Sequence, residues 1–141
     1  MGILCTMIAM VINFFNNPVY LTPEQVAYVE TCVTAEAVGE NYETQLGVVQ
    51  TVFNRLASNK YPDDVISVID QGFSTATNSE VTESVRDAIR TVADNPYIYP
   101  TDMYWFRADH YHTFAHPYQH IPGTNTWFST ETDYNAIFLE E

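Results

Sequence analysis

The sequence predicts a mainly helical α+β domain, with a helical body followed by a small, aromatic-rich, β-hairpin-like C-terminal part. Between residues 22 and 94, apolar side chains recur at spacings of three and four, which is the period of amphipathic helices. After Pro100 this period stops, and two short aromatic runs follow at 103–107 and 125–129. With 141 residues, the chain is long enough for one domain with a hydrophobic core.

Residues 3–15 are nearly all apolar, and we predict that they form an N-terminal helix packed on the core. The run is shorter than the roughly 20 residues that a membrane span needs. It also lacks the basic start and the small-residue cleavage site of a signal peptide. An export or membrane-docking segment is the alternative. We therefore predict that residues 1–20 form an N-terminal segment and that residues 21–141 form a single domain.

The first helix of that domain has a strong start signal. Thr22 can cap it, Pro23 suits its first position, and Gln25 completes a capping box. Gly39 is expected to end it as a left-handed cap. Its inward-facing apolar residues are Val26, Val29, Cys32 and Val33. The next member of this apolar stripe is Glu36.

The position of Glu36 predicts a raised pKa. A carboxylate on an apolar face, near the negative end of a helix dipole, is harder to ionise than one in water. A carboxylic acid that stays protonated near neutral pH is what general-acid catalysis requires. Glu40 lies four residues further on, where it would neighbour Glu36 only if the helix continued.

A second helix is predicted from a cap at Asn41 to about residue 57. Its apolar stripe contains Gln45, Val48, Val49, Val52, Phe53 and Leu56. At its end, Asn54 and Arg55 are expected to form hydrogen bonds that hold the neighbouring loop.

Two shorter helices follow. Asp63 or Asp64 caps the third helix, and the polar stretch 72–78 separates it from a fourth. We predict that Ser79 caps the fourth helix and that Asn95–Pro96 stops it. Its inward residues are Val81, Val85, Ala88, Ile89 and Val92, with Arg86 and Arg90 outward. Residues 108–124 are predicted to be irregular.

The charge balance excludes some partners. Eighteen acidic residues against five basic ones give a net charge of −13. Nucleic acids and anionic membranes need clustered positive charge, so neither is expected to bind. No cofactor is indicated. Cys32 lies on an apolar stripe and is expected to be a buried free thiol, and nothing supports a bridge to Cys5.

Much of the chain resembles the cell wall hydrolase family that includes the spore cortex-lytic enzymes of the SleB and CwlJ type. The resemblance lies in AEAVGENYETQLGVVQTVFNRL (35–56), YPDDVISVIDQGFST (61–75), MYWFR (103–107) and NTWFST (125–130). These stretches occur in the family's order and cover most of residues 25–130.

The resemblance implies a lysozyme-like fold. It also implies that the protein cleaves the glycan strands of peptidoglycan, and we expect it to do so as a lytic transglycosylase. It implies that Glu36 is the catalytic acid. It also implies a location at a bacterial cell wall, in a spore or envelope or as a phage lysis or virion protein. The chain departs from the family at Thr126, where members often carry His or Cys, and in its strongly acidic composition.

Sugar rings stack on aromatic faces and are held by amide and hydroxyl groups. The resembling stretches supply all the candidates for substrate binding, and strand alternation is expected to put Tyr104 and Phe106 on one face and Trp105 on the other. The candidates are Glu40, Gln45, Phe73, Ser74, Thr75, Tyr104, Trp105, Phe106 and Thr126.

The number of candidate carboxylates bears on the reaction. Hydrolysis of a glycoside needs a second carboxylate beside the acid, and neither Glu40 nor Glu43 is a dependable partner for Glu36. A transglycosylase needs only one residue, which acts first as acid and then as base. The sequence therefore favours transglycosylation.

Two alternatives remain open. The first is a non-catalytic glycan-binding module on the same fold. The second is a metal-dependent hydrolase that uses the four histidines. His112, His116 and His120 recur every four residues with His110 nearby, but Pro117 would break a helix that presented them together, so no metal site is predicted.

Overall fold

The computed structural model describes residues 7–37, 39–108, 118–120 and 126–130. Within these residues the chain forms four helices and two small antiparallel sheets, which confirms the α+β class. The elements are β1 (Met10–Ile12), β2 (Val19–Leu21), α1 (Pro23–Glu36), α2 (Tyr42–Ala57), α3 (Val65–Gly72), α4 (Glu83–Asp94), β3 (Met103–Ala108), β4 (Tyr118–His120) and β5 (Thr126–Thr130).

Helix α2 is the centre of the molecule. Every residue from Thr44 to Leu56 is buried, and the helix contacts α1, α3, α4 and β3. A helix that is covered all round belongs to the interior of a domain, where an amphipathic stripe shows only part of its packing. Asn41 caps α2 by accepting a hydrogen bond from the Thr44 backbone N–H at 3.0 Å, as predicted.

Helix α1 begins with the predicted capping box. The Thr22 hydroxyl accepts from the Gln25 backbone N–H at 3.2 Å, and the Gln25 side chain accepts from the Thr22 N–H at 2.9 Å. The helix ends at Glu36 with Ala37 as its C-cap, so the prediction that Gly39 caps the helix is wrong. Gly39 does adopt a positive φ of 73°, in the turn that leads toward α2.

Helix α3 is capped by Asp64, one of the two predicted residues, through the Ser67 N–H at 3.0 Å. The prediction that Ser79 caps α4 is wrong, because Thr82 accepts from the Val85 N–H at 3.2 Å and the helix starts at Glu83. Val81 lies before the helix but packs against the core. Its spacing from Val85 therefore fits the apolar stripe of α4, although Val81 is not part of that helix.

The predicted N-terminal helix is wrong for residues 10–12, which form strand β1. A hairpin with Asn16 at a φ of 70° pairs β1 with β2, so that Met10 lies opposite Leu21 and Ile12 opposite Val19. Ile12 is buried in the core. An apolar run in which polar residues do not recur regularly is compatible with a helix or a strand. Here residues 10–12 form a strand because they pair with β2.

The C-terminal sheet has the strand order β3-β5-β4. Strands β3 and β5 occupy the two aromatic runs that predicted them, whereas β4 falls within 108–124, which was predicted to be irregular. Three residues are too short to show an alternating pattern in the sequence. The predicted hairpin is therefore a three-stranded antiparallel sheet.

A close contact sets the sheet against α2. A Cβ added to Gly47 would lie 2.3 Å from Cζ of Phe128, so only glycine leaves room for that ring. Phe128 and Met103 are both fully buried at this junction. Position 47 therefore fixes how closely β5 approaches the central helix.

No helix within the described ranges combines the length and the apolar character needed to cross a bilayer.

Candidate active site

Glu36 is the last residue of α1, and its side chain is half-buried. Its Oε2 atom accepts a hydrogen bond of 2.7 Å from the backbone N–H of Ser74, which lies 38 residues away in the chain. Ser74 follows Phe73, the C-cap of α3. The end of α1 and the segment after α3 therefore meet at this carboxyl group.

Burial raises the pKa of Glu36, in the direction predicted from its place on the apolar stripe. The Ser74 N–H and the positive charge of Arg55 act in the opposite direction, because both stabilise the carboxylate. Burial is the larger effect, so Glu36 keeps its proton to a higher pH than an exposed glutamate does.

Arg55 is the basic group at this site, and its side chain is enclosed. Only 5% of the residue is exposed, and its Nε donates to the carbonyl of Tyr104 at 2.9 Å. Its guanidinium carbon lies 4.5 Å from the ring centre of Trp105, 4.6 Å from that of Phe73 and 5.0 Å from that of Tyr61. Such stacking and hydrogen bonding hold the charge at a fixed place near Glu36.

Two further contacts place the aromatic side chains. A Cβ at Gly72 would lie 2.3 Å from Nη1 of Arg55, so this glycine lets the guanidinium approach the end of α3. The Phe73 ring stacks on Phe106, with centres 5.9 Å apart and planes at 29°. Strand β3 is thereby joined to the segment that carries Ser74.

Asn54 and Arg55 have a structural role at the end of α2, but these side-chain hydrogen bonds reach the entry to β3 and not the neighbouring loop that the sequence predicted. The Asn54 amide donates to the carbonyls of Pro100 at 2.8 Å and Met103 at 2.9 Å, at the entry to β3. Gln50, which the sequence did not single out, donates to Oδ1 of Asn54 at 2.8 Å. Together these side chains fix the start of β3 against α2.

Tyr28 is another residue that the sequence analysis missed. Its hydroxyl donates to Asp70 on α3. Tyr28, Cys32 and Glu36 are spaced by four, so they share one side of α1. That spacing was the available signal: Tyr28 bonds α3 and Glu36 bonds the segment that follows α3, so this side of α1 faces both.

The β3 candidates occupy different positions in the sheet. Phe106 pairs with Phe128 and Trp105 with Ser129, which puts Trp105 and Phe106 on opposite faces, as predicted. A register shift between Met103 and Trp105 makes Tyr104 an extra residue, so its placement on the same face as Phe106 does not follow from simple alternation.

Three other candidates do not join the cluster around Glu36. Gln45 is buried, and its side-chain oxygen accepts from the Ser84 hydroxyl at 2.6 Å, which links α2 to α4. Glu40 lies beyond the end of α1, so the relation of neighbours four apart on one helix does not hold. Thr126 is buried at the start of β5, opposite Ala108.

Cys32 lies one turn before Glu36 and is a buried free thiol, as predicted. Burial raises the pKa of this thiol, and the nearby Glu36 carboxylate raises it further. A thiol in this state is a packing residue and a poor nucleophile. Cys5 lies outside the described residues.

The histidine hypothesis falls largely outside the described residues, which exclude His110, His112 and His116 and include only the backbone of His120 in β4. In the part of the chain that the structure describes, no three His, Cys, Asp or Glu side chains are grouped to hold a metal ion.

Comparisons of the chain with models of protein families, with curated proteins and with solved structures find no match.

Proposed function

We propose that this protein cleaves the glycan strands of peptidoglycan as a lytic transglycosylase, with a lysozyme-like fold and Glu36 as the general acid and base. It would be an enzyme of the SleB and CwlJ type, active at a bacterial cell wall. The observation that carries the proposal is the half-buried Glu36, whose pKa is raised by burial and which is held by Ser74, the residue after Phe73. Arg55, whose charge acts on Glu36, lies over the rings of Phe73 and Trp105.

The hydrogen bond from Ser74 gives the two carboxyl oxygens of Glu36 different roles: one accepts the N–H, and the other can carry the proton. Oε2 accepts the backbone N–H, so it is occupied by a donor and is poorly suited to carry the proton. The proton then resides on Oε1, which can present it to the bridging oxygen of a glycoside. A fixed hydrogen bond also keeps the carboxyl plane in one orientation, as general-acid catalysis needs.

The reaction proceeds in two proton transfers. Glu36 gives its proton to the glycosidic oxygen as the bond between that oxygen and the anomeric carbon breaks. The C6 hydroxyl of the same sugar then bonds to the anomeric carbon and returns its proton to the Glu36 carboxylate. The products are a new chain end and a 1,6-anhydro sugar, and no water is consumed. Arg55 lowers the cost of the carboxylate that exists between the two steps.

Digestion of purified peptidoglycan, followed by mass spectrometry of the soluble fragments, tests the proposal. The wild type should release anhydro-muropeptides, which are lighter by one water than hydrolysis products. Glu36→Gln should release none. Glu80→Gln removes the same charge from an exposed residue outside the helices and serves as the matched control.

Other results would point elsewhere. Fragments with ordinary reducing ends would indicate hydrolysis. Binding to peptidoglycan without any release would indicate a glycan-binding module. Release that survives Glu36→Gln but stops in EDTA would contradict the proposal and favour metal-dependent hydrolysis.

A further inference from the structure

A cavity of about 310 Å³ lies where the loop of the β1–β2 hairpin meets the end of α2 and the segment between α4 and β3. Its volume is at the lower end of the range for small-molecule pockets. Neither Glu36 nor Ser74 lines it. It is therefore separate from the candidate active site.

Aromatic side chains form the wall of this cavity, and two of them are unusually exposed. Phe15 is 79% exposed and Tyr97 is 48% exposed. Tyr97 is held in place, because its hydroxyl oxygen accepts from the Phe15 backbone N–H at 2.6 Å and its ring meets Phe14 edge-to-face at 6.1 Å. A ring that is both exposed and fixed, as that of Tyr97 is, can stack on a flat ligand at little entropic cost.

The remaining lining is polar and neutral. Asn17, Ser58 and Thr101 contribute amide and hydroxyl groups, and none of the described Asp, Glu, Lys, Arg or His residues lines the cavity. In a chain with 18 acidic residues, a wall without a carboxylate distinguishes this surface from its surroundings. Aromatic faces combined with neutral donors and acceptors suit an uncharged, hydroxyl-rich ligand such as a sugar.

A series of contacts joins the cavity to the candidate active site. Tyr104 lines the cavity and packs on Tyr61, with ring centres 5.3 Å apart. The guanidinium of Arg55 lies over the rings of both Tyr61 and Phe73. Phe73 directly precedes Ser74, the donor to Glu36. The rings of Tyr104, Tyr61 and Phe73 are each partly exposed, so they supply faces on which sugars between the two sites can stack.

We propose that the cavity is a distal subsite for N-acetylhexosamine units of a β-1,4-linked glycan, several sugars away from the bond that Glu36 cleaves. This inference rests on the proposed function for its polymeric substrate. The subsite would give long strands an advantage over short oligosaccharides, because only a long strand can occupy both sites at once.

Binding of N-acetylglucosamine oligomers of two to six units to Glu36→Gln protein, measured by calorimetry, tests the subsite. Affinity should rise with length, and Phe15→Ala should weaken binding of the six-unit oligomer by about tenfold. Tyr20→Ala is the matched control, since Tyr20 is an aromatic of the same hairpin that is 56% exposed and does not line the cavity. Thr101→Arg, which fills the cavity at an exposed position, should reproduce the loss.

The outcomes separate this subsite from the catalytic proposal. If Glu36-dependent fragment release occurs while Phe15→Ala and Thr101→Arg bind six-unit oligomers like the wild type, the subsite is wrong and the function stands. If no fragments are released but oligomer binding depends on Phe15, the subsite stands and the catalytic proposal fails. Equal losses in Phe15→Ala and Tyr20→Ala would also overturn the subsite.

Discussion

At the scale of single residues, the chemistry of the site depends on opposing effects on one carboxyl group. Burial keeps the proton on Glu36, and the Ser74 N–H with the Arg55 charge favours its loss. A carboxyl group whose proton is held by burial, and whose carboxylate is stabilised by a donor and a cation, is suited to giving and then taking back a proton, as one residue acting as acid and then base requires.

The raised pKa of Glu36 has a consequence for stability. The folded protein binds this proton more tightly than the unfolded chain does, so stability is lost as pH rises through the interval between the two pKa values. Glu36→Gln has no such loss. The free energy of unfolding of the variant should therefore exceed that of the wild type at about pH 8 and approach it at about pH 3. Denaturant titrations at both pH values measure this, and a less stable variant at the higher pH would contradict it.

Arg55 should act on both stability and the pH profile. Arg55→Met removes a cation that lowers the pKa of Glu36, so the alkaline limb of kcat/KM should move to higher pH. It also removes a buried hydrogen bond and three ring contacts, at a cost of about 2–4 kcal/mol in unfolding free energy.

Arg55→Lys is the companion variant, because it keeps the charge and loses the planar stacking. It should lose stability as Arg55→Met does, while its alkaline limb stays near that of the wild type. An alkaline limb that moves equally in both variants would show that Arg55 acts only through packing.

At the scale of secondary-structure elements, α2 is the helix on which the elements of the candidate site are packed. The other helices and β3 pack around it, and polar side chains on its surface reach across to them. Asn54 holds the entry to β3, Gln45 reaches Ser84 on α4, and Arg55 lies against the end of α3. The site is therefore built on rigid elements, with loops only completing it.

The contact between Gly47 and Phe128 gives a test of this packing. Alanine in a helix is usually favoured over glycine by about 1 kcal/mol. At position 47 the added Cβ would overlap the Phe128 ring, so Gly47→Ala should instead destabilise the protein by about 1–2 kcal/mol. In a Phe128→Leu background the same substitution should become neutral or stabilising. Thermal or denaturant unfolding of the four proteins provides the measurement, and an unchanged sign would refute the contact.

The start of α4 can be tested in the same way. Thr82→Ala should cost about 1 kcal/mol, because it removes the hydroxyl that accepts from the Val85 N–H. Ser79→Ala should change stability little, although Ser79 is the cap that the sequence predicts. A larger loss from Ser79→Ala in denaturant unfolding would favour the earlier helix start.

At the scale of the whole molecule, local signals predicted much of the helical body. The cap at Thr22, the cap at Asn41 and the stop at Asn95 each depend on residues within one turn, and short-range chemistry of this kind is readable from sequence. The prediction of Glu36 as the catalytic acid also depends on a local pattern, the apolar stripe of α1.

Contacts between distant residues could not be predicted in this way. The Ser74 donor is 38 residues from Glu36, and the Arg55 bond to Tyr104 spans 49 residues. The pairing of β1 with β2 overrode a run that suited a helix, and β4 was too short to show alternation. Such features are set by what the folded chain brings together, which periodicity does not reveal.

The rate of fragment release by Glu36→Gln tests the central claim most directly. Measured on purified peptidoglycan beside the wild type and Glu80→Gln, release by Glu36→Gln should fall by about 10²–10⁴-fold while Glu80→Gln stays near the wild type. Circular dichroism would confirm that all three proteins are folded. A folded Glu36→Gln protein that releases fragments at the wild-type rate would contradict the account.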